Sequence, residues 1–267
     1  MKEIIVRSLS GALYISIIII SMFASREWFM GLFFLLGLIT VYEFLKLVHL
    51  KSYLAYVLLA AGMYFLSYRV FDIDAVYLFL ILSGFVNLFL LKDILWVNKI
   101  PMFEKKKYVT IILYIISGFV FITLIPFSNE EFVPEIIIGI FILVWSNDSF
   151  AYLIGKNFGK HKLLERISPK KTVEGFLGGL AGSVCAGFFI FKYTQLFTLN
   201  SWIAMAVIIT AFGTVGDLIQ SRFKRQAGVK DSGILMPGHG GLYDRLDSII
   251  YSAPFIYAFL EIMDYVS

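Results

Sequence analysis

The stretch PEIIIGIFILVWSNDSFAYLIGK, from Pro134 to Lys156, determines the fold class, because it stays mostly apolar over the length of a membrane-spanning helix. A helix needs about 20 mostly apolar residues to cross the roughly 30 Å hydrocarbon core of a bilayer. Asp148 lies toward the end of the stretch, and an ionisable side chain there usually faces the interior of a helix bundle, because lipid disfavours charge. The stretch therefore predicts a transmembrane helix near residues 133–154.

Eight further apolar segments predict an all-α polytopic membrane protein with about nine transmembrane helices. Apolar residues make up 59% of the chain and charged residues 16%, whereas soluble domains contain about 45–50% and 25%. Cys185 is the single cysteine, so the sequence holds neither a disulfide framework nor a thiolate metal cluster. The predicted spans lie near residues 8–24, 28–48, 53–70, 74–92, 108–127, 133–154, 175–194, 200–220 and 248–266.

The basic residues predict the orientation of these spans. With nine spans and a cytoplasmic N-terminus, all of the 23 Lys and Arg residues except Arg26, Arg69 and Lys192 fall in cytoplasmic segments. Short loops rich in Lys and Arg stay on the cytoplasmic side, so we expect an outer C-terminus and a location in the cytoplasmic (inner) membrane. The N-terminal segment has the outline of a signal peptide but a poor cleavage pattern, which favours a retained first span.

The chain is predicted to form a single integral membrane domain over residues 1–267. No tandem repeat, low-complexity tract or Pro/Gly linker divides it. Residues 1–130 contribute N-terminal spans, and residues 131–267 contribute the catalytic spans with their cytoplasmic loops. Within the first part, Glu43 is followed three residues later by Lys46, which predicts a local ion pair.

Carboxylates near the ends of two predicted spans indicate a metal site. Asp217 lies near the inner end of the eighth span, and Asp244 and Asp247 lie three residues apart, on one face of a helix that begins near Leu242. Hard divalent ions such as Mg²⁺ take carboxylate oxygens together with water and substrate phosphate. Asp217, Asp244 and Asp247 are therefore the predicted metal ligands. For Asp148, a bond to a neighbouring helix at the interface is an equal alternative to a functional role.

Hydroxyl and basic residues beside glycines indicate phosphate binding. Such donors commonly bind phosphate oxygens, although contacts to anionic lipids would also explain the positive charge. A metal with cations around it suits phosphoryl or nucleotidyl transfer, in which charge neutralisation and positioning carry most of the catalysis. The residues in question are Ser168, Lys170, Lys171 and Thr172 in one loop, and Ser221, Lys224 and Arg225 at helical spacing after Asp217.

The stretch SRFKRQAGVKDSGILMPGHGGLYDRLDS, from Ser221 to Ser248, resembles the motif of the phosphatidate cytidylyltransferases, also called CDP-diacylglycerol synthases. Met236 precedes the proline of the motif where Leu, Ile or Phe is usual, which is one apolar residue for another. The block from Asp148 to Gly179 also resembles the family. Residues 1–130 agree with it only in being membrane spans.

The resemblance implies that the protein transfers the cytidylyl group of CTP to phosphatidic acid, giving CDP-diacylglycerol and pyrophosphate for phospholipid biosynthesis. It also implies Mg²⁺ with a monovalent cation such as K⁺, a homodimer among membrane lipids, and no nucleic-acid partner. Because CTP arrives from water and phosphatidic acid from the leaflet, we expect a polar cavity at the cytoplasmic interface that opens sideways to lipid.

The resemblance also suggests roles for individual residues. Asp217, Asp244 and Asp247 hold the metal. Asp231 either positions Lys230 or contacts the nucleotide, and His239 bonds either to a phosphate or to its own loop. The residues expected to act in the transfer are Ser221, Lys224, Arg225, Lys230, Asp231, His239 and Arg245. The residues expected to bind substrate are Asp148, Ser168, Lys170, Lys171 and Thr172.

Two other functions fit a polytopic chain with charged residues. An ion-coupled secondary transporter is expected to place charges near the midplane and to show interrupted spans in both halves, whereas the charges here cluster toward one face. A CTP-dependent polyprenol kinase shares the chemistry but not the motif from Ser221 to Asp247. The D-x-x-D-G-x-x-A-R pattern of CDP-alcohol phosphotransferases does not occur in this sequence.

Overall fold

The computed structural model describes residues 2–128, 131–236, 238 and 240–266, and this part of the chain is mostly helical. Two π-helical stretches occur in it: residues Tyr64–Tyr68 continue α3, and residues Ile111–Ile116 join α5 to α6. The helices are α1 (Lys2–Ala24), α2 (Arg26–Leu47), α3 (Leu54–Met63), α4 (Ile73–Trp96), α5 (Glu104–Thr110), α6 (Ser117–Leu124), α7 (Pro134–Phe158), α8 (Val173–Thr194), α9 (Leu199–Gln226) and α10 (Tyr243–Val266).

Seven helical segments of the described chain are long and apolar enough to cross a membrane, which fits a membrane protein. Two shorter apolar helices, Leu9–Ala24 and Leu54–Tyr68, coincide with the first and third predicted spans. Every predicted span is therefore helical, while the count of nine and the orientation of the termini stay predictions. The seven segments are Arg26–Leu47, Ile73–Trp96, Glu104–Leu124, Pro134–Phe158, Val173–Thr194, Leu199–Gln226 and Tyr243–Tyr265.

Four helices in the described part of the chain begin at a side chain that accepts a hydrogen bond from a backbone N–H of the first turn. Such caps satisfy donors that have no partner within the helix. Pro134 starts α7, where its missing N–H costs nothing. The capping pairs are Ser25 with the Trp28 N–H (3.3 Å), Asp72 with the Asp74 N–H (2.9 Å), Thr172 with the Gly175 N–H (3.1 Å) and Thr198 with the Ser201 N–H (3.2 Å).

Among the described residues, two short antiparallel hairpins depart from the all-α prediction. Strand β1 (Phe127–Ser128) pairs with β2 (Glu131–Phe132), and β3 (Lys162–Leu164) pairs with β4 (Ser168–Thr172). The second hairpin connects α7 to α8, and Ile167 in its turn is buried. The predicted phosphate-binding loop is therefore an ordered strand. Its sequence, SPKKT, lacks the alternating apolar residues by which strands are usually recognised.

Aromatic side chains pack at the centre of the bundle, around Phe44 of α2. Its ring meets the rings of Tyr114, Phe223 and Tyr243 edge-on, at centroid distances of 6.4, 5.1 and 5.9 Å. Lipid is as apolar as these side chains, so helix association in a membrane relies on close packing and hydrogen bonds. This cluster joins α2, α9 and α10, and its residues Phe223 and Tyr243 directly precede Lys224 and Asp244 in the sequence.

Close contact between α9 and α10 depends on Gly216. A Cβ atom at this position would lie 2.5 Å from the carbonyl oxygen of Asp247 and 2.7 Å from the Cβ of Tyr251. Any larger residue would force the two helices apart. The absence of a side chain at residue 216 therefore allows the next residue, Asp217, to face Asp247 across the helix pair.

Candidate active site

A cavity of about 840 Å³ lies between α1, α7, α8, α9, α10 and the β3–β4 hairpin. Its wall combines charged residues with apolar ones such as Ile15, Trp145 and Phe176. A cavity of this size is in the range that holds small-molecule ligands. The structure thus brings together residues that lie far apart in sequence. Its charged lining residues are Asp148, Lys156, Lys162, Lys170, Lys171, Asp217, Asp244, Arg245 and Asp247.

Three carboxylates and one lysine form the charged centre of this cavity. The side chains of Asp217 and Asp247 lie close enough to interact electrostatically, and Lys171 forms an ion pair with Asp217. Asp148 is close enough to interact electrostatically with both of these aspartates. Asp247 is only 5% exposed, so the repulsion between the carboxylates is poorly screened by water and favours a cation at this place.

Asp244 lies on the first turn of α10 but is engaged differently from Asp247. Its Oδ1 accepts hydrogen bonds from Gln220 and Lys224, both at 2.6 Å. Its Oδ2 accepts the backbone N–H groups of Ser232 (2.8 Å) and Gly241 (2.9 Å), with the Ser232 hydroxyl at 3.0 Å. Asp244 therefore organises the loop before α10 in this structure.

The predicted set of three metal ligands is not assembled within the described residues. No group of three or more His, Cys, Asp or Glu side chains there has the arrangement of a metal site. The physical reason is that five donors surround the Asp244 carboxylate, while Asp217 and Asp247 face each other. Metal binding by Asp217, Asp244 and Asp247 together stays a prediction, and the pair Asp217–Asp247 is the part of it that the structure brings together.

The β3–β4 hairpin positions Lys171 at the cavity. Ser168, Lys170 and Thr172 of the same strand also line the cavity, although the Thr172 hydroxyl caps α8 by accepting the Gly175 N–H. Glu174 holds the start of the hairpin by accepting the N–H groups of Lys160 (3.0 Å) and His161 (3.2 Å). The strand and the helix cap together place the lysine ammonium group at Asp217.

Several predicted site residues lie away from the cavity lining. Lys224 pairs with Asp244 at 2.6 Å and is also close enough to Asp217 to interact with it electrostatically. Arg225, Lys230 and Asp231 are exposed, and Ser221 is half-buried. His239, for which a bond to phosphate or to the loop was predicted, lies outside the described residues, as does Pro237 of the motif.

Tyr14 of α1 is a cavity residue that the sequence reasoning missed. It lines the cavity, near enough to Arg245 and Asp247 to interact electrostatically with them. Its hydroxyl oxygen is buried and has no hydrogen-bond partner among the described residues. A tyrosine within an apolar run carries no sequence signal of this kind, because aromatic residues are common in spans.

Glu43 contradicts the prediction of a local ion pair with Lys46. The Lys46 ammonium group lies over the Tyr42 ring, 4.6 Å from its centroid. Glu43 is 3% exposed and bonds instead to the loop before α10. The prediction was wrong because the helical spacing of three residues does not determine which way a side chain turns once a distant segment offers stronger donors. The sequence did hold one signal for this buried contact, because an ionisable residue inside a span usually faces the protein interior.

Comparison with known proteins places phosphatidate cytidylyltransferases among the relatives of this chain. A model of the cytidylyltransferase family matches residues 5–263. A phosphatidate cytidylyltransferase of Staphylococcus aureus (strain COL) is 48% identical over 118 residues, which are 43% of this chain and 45% of that protein. A phosphatidate cytidylyltransferase of Staphylococcus haemolyticus (strain JCSC1435) is 47% identical over 118 residues, again 43% of this chain and 45% of that protein. The aligned stretch thus spans less than half of the length of these relatives.

Proposed function

The chain belongs to the cytidylyltransferase family, and on that basis we propose that it transfers the cytidylyl group of CTP to phosphatidic acid. The observation that carries the proposal is the cavity in which Asp217 and Asp247 lie beside Lys171 and Arg245. Both substrates are anions, and a site that brings them together must supply positive charge at their phosphates. Acidic residues suited to a metal ion and basic residues suited to phosphate both line this cavity.

In the proposed reaction a phosphate oxygen of phosphatidic acid attacks the α-phosphorus of CTP. The new P–O bond forms as the bond to the β-phosphate breaks, so CDP-diacylglycerol and pyrophosphate are produced. The attacking oxygen is already negatively charged, and therefore no strong general base is required. Lys171 and Arg245 neutralise the phosphates, Lys170 and Ser168 contact them from the hairpin, and Asp148 orients the cations across the cavity.

Mg²⁺ is the proposed cofactor, and the residues present suit it. Asp217 and Asp247 are neighbouring carboxylates of like charge, an arrangement that a hard divalent cation stabilises. These two residues would hold the ion, with Asp148 nearby. When bound, it would neutralise charge on the transferred phosphate and the leaving group. A monovalent cation beside it and a homodimer are further proposals that rest on the family alone.

We also propose that the protein lies in the cytoplasmic membrane and that its site faces the cytoplasm. CTP is charged and water-soluble, so it must enter from an aqueous side, and basic loops such as the β3–β4 hairpin are those retained in the cytoplasm. The apolar residues in the cavity wall, among them Ile15 and Phe176, suit entry of a diacylglycerol moiety from the leaflet.

The proposal is tested with the full chain purified in detergent and supplied with CTP, phosphatidic acid and MgCl₂. CTP labelled at the α-phosphate should transfer its label to the lipid extract, while CTP labelled at the γ-phosphate should release it as pyrophosphate. Lipid that carries γ-label instead would support a CTP-dependent kinase. If neither labelled form of CTP transferred its label to lipid, under conditions in which a known synthase is active, the enzymatic proposal would be wrong. The ion-coupled transporter would then be the remaining function.

Tyr14→Phe is expected to raise the KM for phosphatidic acid about 10-fold. The hydroxyl has no partner among the described residues, so its loss should leave folding unchanged, while a hydrogen bond to a charged ligand is worth on the order of 1.5–3 kcal/mol. Steady-state kinetics with each substrate varied in turn provides the measurement. Tyr193→Phe, at a residue that is 80% exposed, is the control. An increase confined to the KM for CTP would contradict the assignment to the lipid.

A further inference from the structure

Glu43 is a buried carboxylate from the N-terminal half of the chain that bonds to the loop entering α10. Its Oε1 accepts the backbone N–H of Leu242 at 3.0 Å, and its Oε2 accepts the backbone N–H of Tyr243 at 2.9 Å. The Ser232 hydroxyl donates to Oε2 at 2.7 Å. The two N–H groups stand at the N-terminus of α10, where helix donors lack partners and negative charge is stabilised. Glu43 thus caps a helix from a distance of about 200 residues along the chain.

The loop approaches this carboxylate so closely that two of its residues have to be glycine. A Cβ atom on Gly233 would collide with Oε1 and Cδ of Glu43. A Cβ atom on Gly241 would collide with Oε2 of Glu43 and with the Ser232 hydroxyl. These contacts come from opposite ends of the loop, so Glu43 fills the space that the loop encloses. Both glycines are therefore explained by packing against a residue outside their own segment.

A chain of polar contacts leads from Glu43 into the cavity, in which the one proton of the Ser232 hydroxyl is shared between two carboxylates. The Ser232 hydroxyl lies 2.7 Å from Oε2 of Glu43 and 3.0 Å from Oδ2 of Asp244. Asp244 in turn bonds to Lys224 of α9. One turn further along α10, Asp247 faces Asp217. The position of α10 relative to α9, and with it the carboxylate pair, is therefore connected to Glu43.

We propose that Glu43 is a positioning residue of the transfer site: its carboxylate holds Ser232 against the start of α10, at Leu242 and Tyr243, and thereby places Asp244 and Asp247. This inference rests on the proposed function for its catalytic consequence, but its structural consequence does not depend on any activity. A buried charge inside a span is costly, and three donors from the loop offset that cost. Glu43 is not among the described residues that line the cavity, so it acts through the residues that it positions.

Glu43→Gln tests the inference, because glutamine keeps the size of the side chain and replaces one acceptor oxygen with an NH₂ group. That group would face a donor, so at least one hydrogen bond to the loop is lost. We expect trypsin to cleave after the exposed Lys230 about 10-fold faster than in the wild type, since a lost hydrogen bond to a charged group is worth on the order of a tenfold change in an equilibrium. Cleavage is followed by mass spectrometry of the detergent-purified full chain.

The same variant should require about 10-fold more Mg²⁺ for half-maximal transfer, which is the usual effect of removing a residue that supports metal ligands. A merely structural defect would lower the amount of active protein without moving this concentration. Thr40→Val is the matched control, because Thr40 lies one turn away on α2, is buried, and has no hydrogen-bond partner for its hydroxyl among the described residues. It should leave both readouts within about 2-fold of the wild type, since burial of a methyl in place of an unpaired hydroxyl is nearly neutral.

The outcomes separate this inference from the proposed function. Wild-type cleavage and an unchanged Mg²⁺ requirement in Glu43→Gln would overturn the positioning role. If the wild type formed no CDP-diacylglycerol, the proteolysis comparison alone would decide the role of Glu43. If Glu43→Gln does not fold, Gly233→Ala probes the same contact from the loop side, because the added Cβ displaces the Glu43 carboxylate. If folded Gly233→Ala protein were cleaved as slowly as the wild type, the inference would also be refuted.

Discussion

Asp247→Asn is expected to lower kcat at least about 100-fold, by analogy with the loss of other groups that stabilise transition-state charge. Asparagine keeps the volume of the side chain and removes its negative charge. In the described structure Asp247 is buried beside Asp217, so the substitution relieves repulsion between the two carboxylates. The folded protein should therefore be at least as stable as the wild type while losing the charge that the proposed Mg²⁺ needs.

Ser252→Ala is the control for this variant. Ser252 is buried on the same helix, and its hydroxyl donates to the backbone oxygen of Ser248 at 2.8 Å, so its loss should leave kcat within about 2-fold of the wild type, because intrahelical bonds of this kind add little stability. Both proteins are compared by thermal unfolding and by initial rates at saturating CTP. Activity of Asp247→Asn within a few-fold of the wild type would remove Asp247 from the proposed metal ligands.

Lys171→Met is expected to lower kcat/KM about 100-fold, because one cation contacting a phosphate in a partly dehydrated site contributes a few kcal/mol. Methionine retains the length and the apolar stem of lysine but not its charge. Lys171 pairs with Asp217, and their side chains are only 26% and 32% exposed. The substitution therefore leaves Asp217 without its counterion and the substrate phosphates without a neutralising group.

Two further variants distinguish charge from a general effect on the hairpin. Lys171→Arg keeps the positive charge and should recover part of the activity. Lys160→Met removes a charge from the same connection, but Lys160 is exposed and lies outside the cavity lining. The transfer rate of Lys160→Met should stay near that of the wild type. Equal losses in Lys160→Met and Lys171→Met would show that overall loop charge, and not contact at Asp217, determines the rate.

Much of the site was predictable because its residues follow local rules. Asp244 and Asp247 are three residues apart, and α10 does begin at Tyr243, so both lie on its first turns as predicted. The charged residues from two separated stretches were expected to meet, and Asp148, Lys171, Asp217 and Arg245 do line one cavity. Helical periodicity and the cost of charge in lipid act on short segments, which is why they can be recognised in a sequence.

The partners of individual charges were not predictable in the same way. Asp244 was expected to bind metal with its neighbours but is surrounded by five donors, among them the N–H groups of Ser232 and Gly241. Lys224 was expected to neutralise substrate phosphates, and in the structure its ammonium group pairs with Asp244. Each choice depends on how a loop folds back between two helices. Spacing along one helix holds no information about that path.

This amino-acid sequence alone predicts the membrane-spanning helices, their approximate ends, and the kinds of charged side chains that gather at one face. Those features depend on hydrophobicity, charge and helical spacing, which are properties of neighbouring residues. The bond from Glu43 to the start of α10 and the buried hydroxyl of Tyr14 at the cavity arise only when segments from both ends of the chain come together. Hydrogen bonds and close packing form wherever three-dimensional proximity allows, and that proximity exists only in the folded chain.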